Sequence, residues 1–470
     1  MTDLADVWQV VLSEGCWEAN PGLLDCPDER GGTFTRNQST SWSTERLPNA
    51  GLLQLNSYEE NFLGLSGSAY YGFDTVTLGI DGEGLPTLQN QLVAGIATDN
   101  YFLGSLGLSP ISFNISDLNS PIPSILGVLR NESLVPSLSW AYSVGSAYSS
   151  PRDYGSLVFG GYDASLLDKT NAISDVPFSG DTSRDLQLQV QSITYDTLGS
   201  TPLLTESIDV FIDSMVTQLW LPTSVCTSFE TAFNLTWNSS QQLYLVDVDI
   251  HTALSTQNPT FTFNLASHAG GNLSIVLPYA AFDLKASVPM VDSESYYFPL
   301  QRAENVSRYT LGRVFLQEAY VIADYDRHSF SVSRKASTSG DHKLLPICAP
   351  GNPGPCGSGS LSAGAKAGIA IGAVAIAGLI ASLLWLWWRS RARKGIQDVQ
   401  NTVPYTGHDE KKHAHERESF IRPVELGTRE AEIYEMDRAN EFRPELPSQS
   451  KHHEIGTRDV PAVELEAPLK

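Results

Sequence analysis

Positive charge is scarce in this chain: 30 Lys and Arg stand against 53 Asp and Glu over 470 residues, a formal net charge of −23. Nucleic acids are held through clusters of Lys and Arg on their phosphates. No basic face stands out ahead of residue 350, so nucleic acid is excluded as a partner. The acidity fits solubility in a secretory or extracellular setting. Metal-ligand patterns are missing too. His408, His413 and His415 lie near Asp409 and Glu410, but their spacing matches no standard site, and a flexible segment would not hold ligands in fixed geometry. No metal and no cofactor is expected. Helical periodicity is rare: residues 225–235, after the Pro222 turn, are the best candidate in the stretch 181–335. Cysteine is sparse, at five residues, enough for two bridges and one spare thiol in an oxidising compartment. Cys16 and Cys26 would close one short loop, and Cys348 and Cys356 another. Cys226 is then left over, unless it pairs with one of the latter two.

Period-two alternation is abundant instead. It runs through Thr75-Val76-Thr77-Leu78, Gln187-Leu188-Gln189-Val190-Gln191, Phe261-Thr262-Phe263-Asn264-Leu265 and Ser329-Phe330-Ser331-Val332-Ser333. Such runs, with breakers between them, mark half-buried strands and an all-β class. The first 335 residues are enough for two cores.

One run is of another kind. Residues 367–388 are apolar apart from Ser382 and end in Trp385-Leu386-Trp387-Trp388. They are long enough to cross a hydrocarbon core near 30 Å thick, with an aromatic anchor at one face. Arg389, Arg391, Arg393 and Lys394 follow and place the C-terminal side in the cytoplasm. Asn-x-Ser/Thr acceptors stand at Asn37, Asn114, Asn131, Asn234, Asn238, Asn272 and Asn305, none beyond the span. That one-sided distribution gives the same orientation, a single-pass type I protein with its N-terminal part lumenal or extracellular. A glycolipid anchor is disfavoured, because such signals end in their hydrophobic tail. Gly364, Gly368 and Gly372 would permit a weak helix–helix dimer. The tail after residue 388 is charged and poor in apolar residues, hence read as disordered. It repeats one short pattern, Glu425-Leu426-Gly427-Thr428-Arg429-Glu430 and Glu454-Ile455-Gly456-Thr457-Arg458-Asp459.

The most informative segment is Phe211-Ile212-Asp213-Ser214-Met215-Val216-Thr217-Gln218-Leu219-Trp220-Leu221-Pro222. An apolar run delivers one carboxylate and then returns to the interior, and a buried charge needs a reason. The segment resembles the second active-site loop of pepsin-like aspartic peptidases. Other stretches are similar to landmarks of that family in the same order. Gly72-Phe73-Asp74-Thr75-Val76-Thr77-Leu78-Gly79 resembles the strand after its flap, and Leu103-Gly104-Ser105-Leu106-Gly107-Leu108 an apolar-apolar-Gly strand of its first lobe. Gly155-Ser156-Leu157-Val158-Phe159-Gly160-Gly161-Tyr162-Asp163 resembles the strand closing that lobe. Tyr309-Thr310-Leu311-Gly312-Arg313-Val314-Phe315-Leu316 and Tyr320-Val321-Ile322-Ala323-Asp324-Tyr325-Asp326 resemble the last strands of the second. The resemblance implies a bilobal all-β fold, with lobes at 1–180 and 181–335. A Gly/Ser/Pro-rich linker (336–366), the membrane helix (367–388) and the cytosolic tail (389–470) complete the expected organisation.

The resemblance also implies a chemistry: two carboxylates, one per lobe, share a proton around a water, and their repulsion separates their acidities. Asp213 is the second-lobe carboxylate on this alignment, and Ser214 the supporting hydroxyl beside it. Met215 stands where the family has glycine, and Val216 where it has a hydroxyl donor. Counting back from Trp8 puts Met1 at the first catalytic Asp, with Asp3 two residues out of register, so no first carboxylate is named. The flap tyrosine falls at Asn61 or Phe62, with Tyr58 nearby. Met1-Thr2-Asp3-Leu4 has neither a basic start nor an apolar core, which leads to the expectation that a targeting signal and the first strands lie upstream. Three readings stand: an impaired or inactive pepsin-like domain whose interlobe cleft takes an extended peptide or protein ligand, an active aspartic endopeptidase if an upstream carboxylate completes the pair, and a membrane sensor or adaptor acting through its tail.

Overall fold

A computed structural model describes residues 2–351, apart from 4–6, 18–22, 24, 56–62, 64–65, 80–83, 99, 116–119, 147, 151, 182–183, 197–198, 289 and 338–341. The stretch 367–388, the tail with its histidines, and Cys356 lie outside these residues, as do Tyr58, Asn61 and Phe62. Among the described residues no helix is long and apolar enough to cross a membrane.

The fold is mostly β. Near the N-terminus, Trp8–Val11, Thr87–Ile96, Ser68–Thr77 and Leu52–Gln54 lie side by side in that order. A second sheet runs Leu167–Pro177, Ser329–Lys335, Ala319–Asp324, Ser139–Ser143, Ser156–Phe159, and so joins strands from the middle of the described chain to strands near its C-terminal end. The largest sheet follows the path Asn272–Pro278, Thr260–Ala266, Gln187–Asp196, Ile208–Ile212, Thr310–Leu311, Leu219–Pro222, Leu300–Ala303. Its alternation is carried through to burial: Phe261, Phe263 and Leu265 are all sealed at 0% exposure, and their polar neighbours are half-buried. Phe229, Phe233, Phe282 and Phe298 close over that face. At the edge strand Asn272–Pro278, the Asn171 side chain donates to Ser274 O and accepts from Ser274 N, so an amide substitutes for a neighbouring strand.

Two of the strands expected from the sequence end differently. The stretch 309–316 is strand only at Thr310–Leu311 and then turns into a short helix, Arg313–Leu316. The stretch 155–163 breaks at Gly160, whose φ of +67° suits glycine, into Ser156–Phe159 and Gly161–Asp163. The expected helix forms at Thr223–Phe233, two residues earlier than its apolar pattern indicated. A further helix, Val248–Gln257, was not foreseen. Leu254 is its one buried side chain, so it presents no apolar stripe to read.

Cys16 and Cys26 form a disulfide with a Cα separation of 5.6 Å. Nearby, Arg30 is 1% exposed and donates to the carbonyls of Gly15, Thr98, Tyr101 and Phe102. Cys348 is also disulfide-bonded. Cys226 is a free, buried thiol, and burial raises its ionisation to about 12, so it is chemically quiet.

Candidate active site

Two backbone arrangements of the same kind occur at the two ends of the described chain. In the largest sheet, Ile208–Ile212 runs parallel to Thr310–Leu311, pairing Phe211 with Thr310 and Ile212 with Leu311. Leu219–Pro222 crosses antiparallel to Thr310–Leu311 and parallel to Leu300–Ala303. Near the N-terminus, Thr2–Asp3 runs parallel to Leu106–Gly107, pairing Thr2 with Leu106 and Asp3 with Gly107. Gln9 bridges Ser105 antiparallel, and Trp8–Val11 lies parallel to Thr87–Ile96. Each arrangement uses a Leu-Gly pair, Leu106-Gly107 or Leu311-Gly312. Asp3 lies opposite the first glycine, and one further step past Ile212 sets Asp213 against the second. Counting back from Trp8 had put Met1 at this place, because the connection from Asp3 to Trp8 is two residues shorter than the one from Asp213 to Trp220.

Asp213 ends its strand with 4% exposure. Its N–H donates to Leu311 O at 3.2 Å, and its Oδ1 accepts from the Met215 N–H at 2.7 Å. Ser214 is half-buried. Glycine was expected at 215 to permit the turn. The turn forms with methionine, whose backbone does not enter the left-handed region. The side chain is what differs. Met215, 8% exposed, joins a core cluster with Val7, Val11, Leu55, Tyr71, Tyr101 and Phe113. Val216 is 5% exposed, and its side chain carries no hydrogen-bond donor.

Below the turn lies Gly312. A Cβ there would sit 2.3 Å from Gln218 O and 2.6 Å from Val216 O, so only glycine lets the chain pass this close. Arg313 follows. Its guanidinium donates to Ser214 O (2.8 Å) and Met215 O (2.7 Å), and to the Thr217 hydroxyl. Its backbone N–H donates to Val216 O at 2.8 Å. Burial of the charged end lowers its ionisation, opposed by the nearby Tyr142, Tyr297 and Asp213. Burial in turn raises the Tyr297 phenol to about 12, against the pull of Arg313.

These elements decide the family. Residues 8–335 match the sequence model described as eukaryotic aspartyl protease. The chain belongs to that family. Candidapepsin of Candida tropicalis is 25% identical over 341 residues, covering 72% of this chain and 75% of that protein. Asp213 and Ser214 lie within the matched stretch.

Arg313 escaped the sequence reading, although a charged residue directly after Leu-Gly inside an apolar run was its signal. Asp185 escaped it as well. This carboxyl is 7% exposed, and burial pushes its ionisation up to about 7, while Tyr325 and backbone N–H groups pull it down and Asp181 raises it. Its neighbour Arg184 pairs with Asp181 at 3.1 Å, donates to Ser307 O and lies over the Phe211 ring. Of the acceptor asparagines, Asn37, Asn114, Asn131, Asn234, Asn272 and Asn305 are exposed and Asn238 is half-buried. Among the described residues no group of three or more His, Cys, Asp or Glu is placed to hold a metal.

Proposed function

We propose that this aspartyl protease relative is anchored in a membrane by residues 367–388, carries glycans on its exposed acceptor asparagines, and takes an extended peptide in an interlobe cleft with hydrolysis impaired. The observation that carries this reading is the loop after Asp213. Its two replaced positions, Met215 and Val216, are both buried apolar side chains. Water activation by paired carboxylates depends on hydrogen-bond donors that set the orientation and acidity of each carboxylate. Val216 removes one such donor, and Met215 ties the turn to the core cluster of Val7, Tyr71 and Phe113. The surface exposure of six acceptor asparagines supports glycosylation. The test is paired: a library of extended peptides is offered to the protein, and both binding and cleavage are followed. Binding without cleavage is the expected result. Cleavage at a rate typical of proteases would remove the reading.

One observation favours a second reading, an active endopeptidase. The backbone of Asp3 stands opposite Gly107 in a parallel pairing like that of Ile212 with Leu311, the residues just before Asp213 and Gly312. Asp3, or a carboxylate upstream, would then complete the pair. Loss of cleavage in Asp3→Asn, with folding intact, would favour it.

A further inference from the structure

The turn after the Leu300–Ala303 strand ties down its polar groups and leaves one apolar side chain in water. Asn305 Oδ1 accepts from the Ser307 N–H at 3.1 Å and from the Ser307 hydroxyl. Ser307 O accepts from Arg184 at 2.7 Å, and Arg308 pairs with Glu304 at 3.5 Å. Both bonds of Asn305 use its carbonyl oxygen, so the amide nitrogen, the atom a glycan takes, stays outside them. Val306, inside this Asn-Val-Ser acceptor, is 72% exposed, the most exposed large apolar side chain among the described residues. A second acceptor repeats the arrangement on the edge strand Asn272–Pro278. Exposure alternates there, so Asn272, Ser274 and Val276 share the outward face while Leu273, Ile275 and Leu277 are buried. Val276 is 40% exposed and lies about 13 Å along the strand from Asn272. Isolated exposed valines are ordinary on protein surfaces. What sets these two apart is an acceptor asparagine beside each, on a fixed turn and on a sheet edge.

We propose that glycans on Asn305 and Asn272 are covers: each folds back over the valine beside it, Val306 or Val276, and takes that apolar surface out of water. A sugar ring has a C–H face as well as hydroxyls. Laid on a valine, that face removes apolar area from water, while the outer hydroxyls stay solvated. At Asn272 the glycan also stands on the edge of the largest sheet, where an uncovered strand is a template for another chain. Asn171 occupies the backbone of that edge at Ser274, and a bulky glycan on the same strand hinders a further chain. The inference deepens the glycosylation part of the proposed function and rests on it.

The experiment uses the full chain, made in a host that adds N-linked glycans and held in detergent. Peptide mass spectrometry reads occupancy at Asn305 and Asn272. Hydroxyl-radical footprinting then reads side-chain oxidation before and after the glycans are removed enzymatically from the folded protein. Val248 is the internal control: it is 66% exposed, and the nearest acceptor in sequence, Asn238, is ten residues away. The expected result is glycan at both asparagines and a severalfold rise in oxidation at Val306 and Val276 on removal, with Val248 unchanged. Where the enzyme does not reach a site, Asn305→Gln or Asn272→Gln supplies the glycan-free protein. Unchanged oxidation at occupied sites, or an equal rise at Val248, would overturn the covers alone. Absence of glycan from both asparagines would overturn the glycosylation reading, and the covers with it.

Discussion

Methionine 215 shows how one side chain redirects a loop. Its backbone makes the turn and donates to Asp213, while its thioether is enclosed with Tyr71 and Phe113. Truncating a buried Met leaves a cavity, so Met215→Ala should cost about 2–5 kcal/mol in a urea unfolding experiment. It should not create cleavage, because Val216 still provides no donor. Asp185 has the opposite character: a carboxyl whose burial matters more than its contacts. Its folded ionisation, near 7, lies above the unfolded value of about 3.9. Between these values the folded protein holds a proton that the unfolded chain gives up, so stability declines as pH rises from about 4 to about 7. The decline is at most on the order of 4 kcal/mol. Asp185→Asn should flatten it, which thermal unfolding across that range would reveal.

At the scale of elements, close backbone passages matter more than propensity. Gly312→Ala should separate the 214–217 loop from the Arg313–Leu316 helix, since the clash is with carbonyls that cannot rotate away. Faster amide exchange at Arg313 and Val314, which donate to Val216 O and Thr217 O, is the check. The C-terminal strap Leu344–Pro346 is fixed similarly, antiparallel to Gly161–Asp163. Asp163 is fully buried and accepts from Ser165 N and Oγ, Lys343 N and His342 Nδ1. Burial alone would raise its ionisation, but these donors together bring it below the ordinary value. Its contribution is therefore present above about pH 4 and fades on acidification. Asp163→Ala should cost on the order of 3 kcal/mol and expose the strap to limited proteolysis. The strands were legible because Phe261, Phe263 and Leu265 alternate with polar residues. The Val248–Gln257 helix was not, because it buries a single leucine and offers no periodic face.

Across the whole molecule, acidity is concentrated before the tail. Residues 1–351 hold 15 Lys and Arg against 37 Asp and Glu, which is −22 of the total −23. Self-repulsion of that size eases as carboxylates protonate. Together with the opposite pH trends of Asp185 and Asp163, it predicts a thermal midpoint that peaks in mildly acid solution, about pH 4–5. A midpoint that keeps rising to pH 7 would contradict this. Ordered motifs made the family legible. What one sequence could not convey was the company of the Asp213 loop: the place of Met215 among Val7 and Phe113, the reach of Arg313 beneath it, and the ladder position of Asp3. Those depend on long-range pairings, as between Phe113 and Met215 or Arg313 and Ser214, which no local pattern encodes. The central claim is that Asp213 stands in an aspartyl protease frame without the means to hydrolyse. It is tested most directly by incubating the full chain with a mixed peptide library from pH 3 to 7 beside Asp213→Ala. Equal, background-level cleavage by both is predicted, and cleavage by the wild type that the variant loses would contradict it.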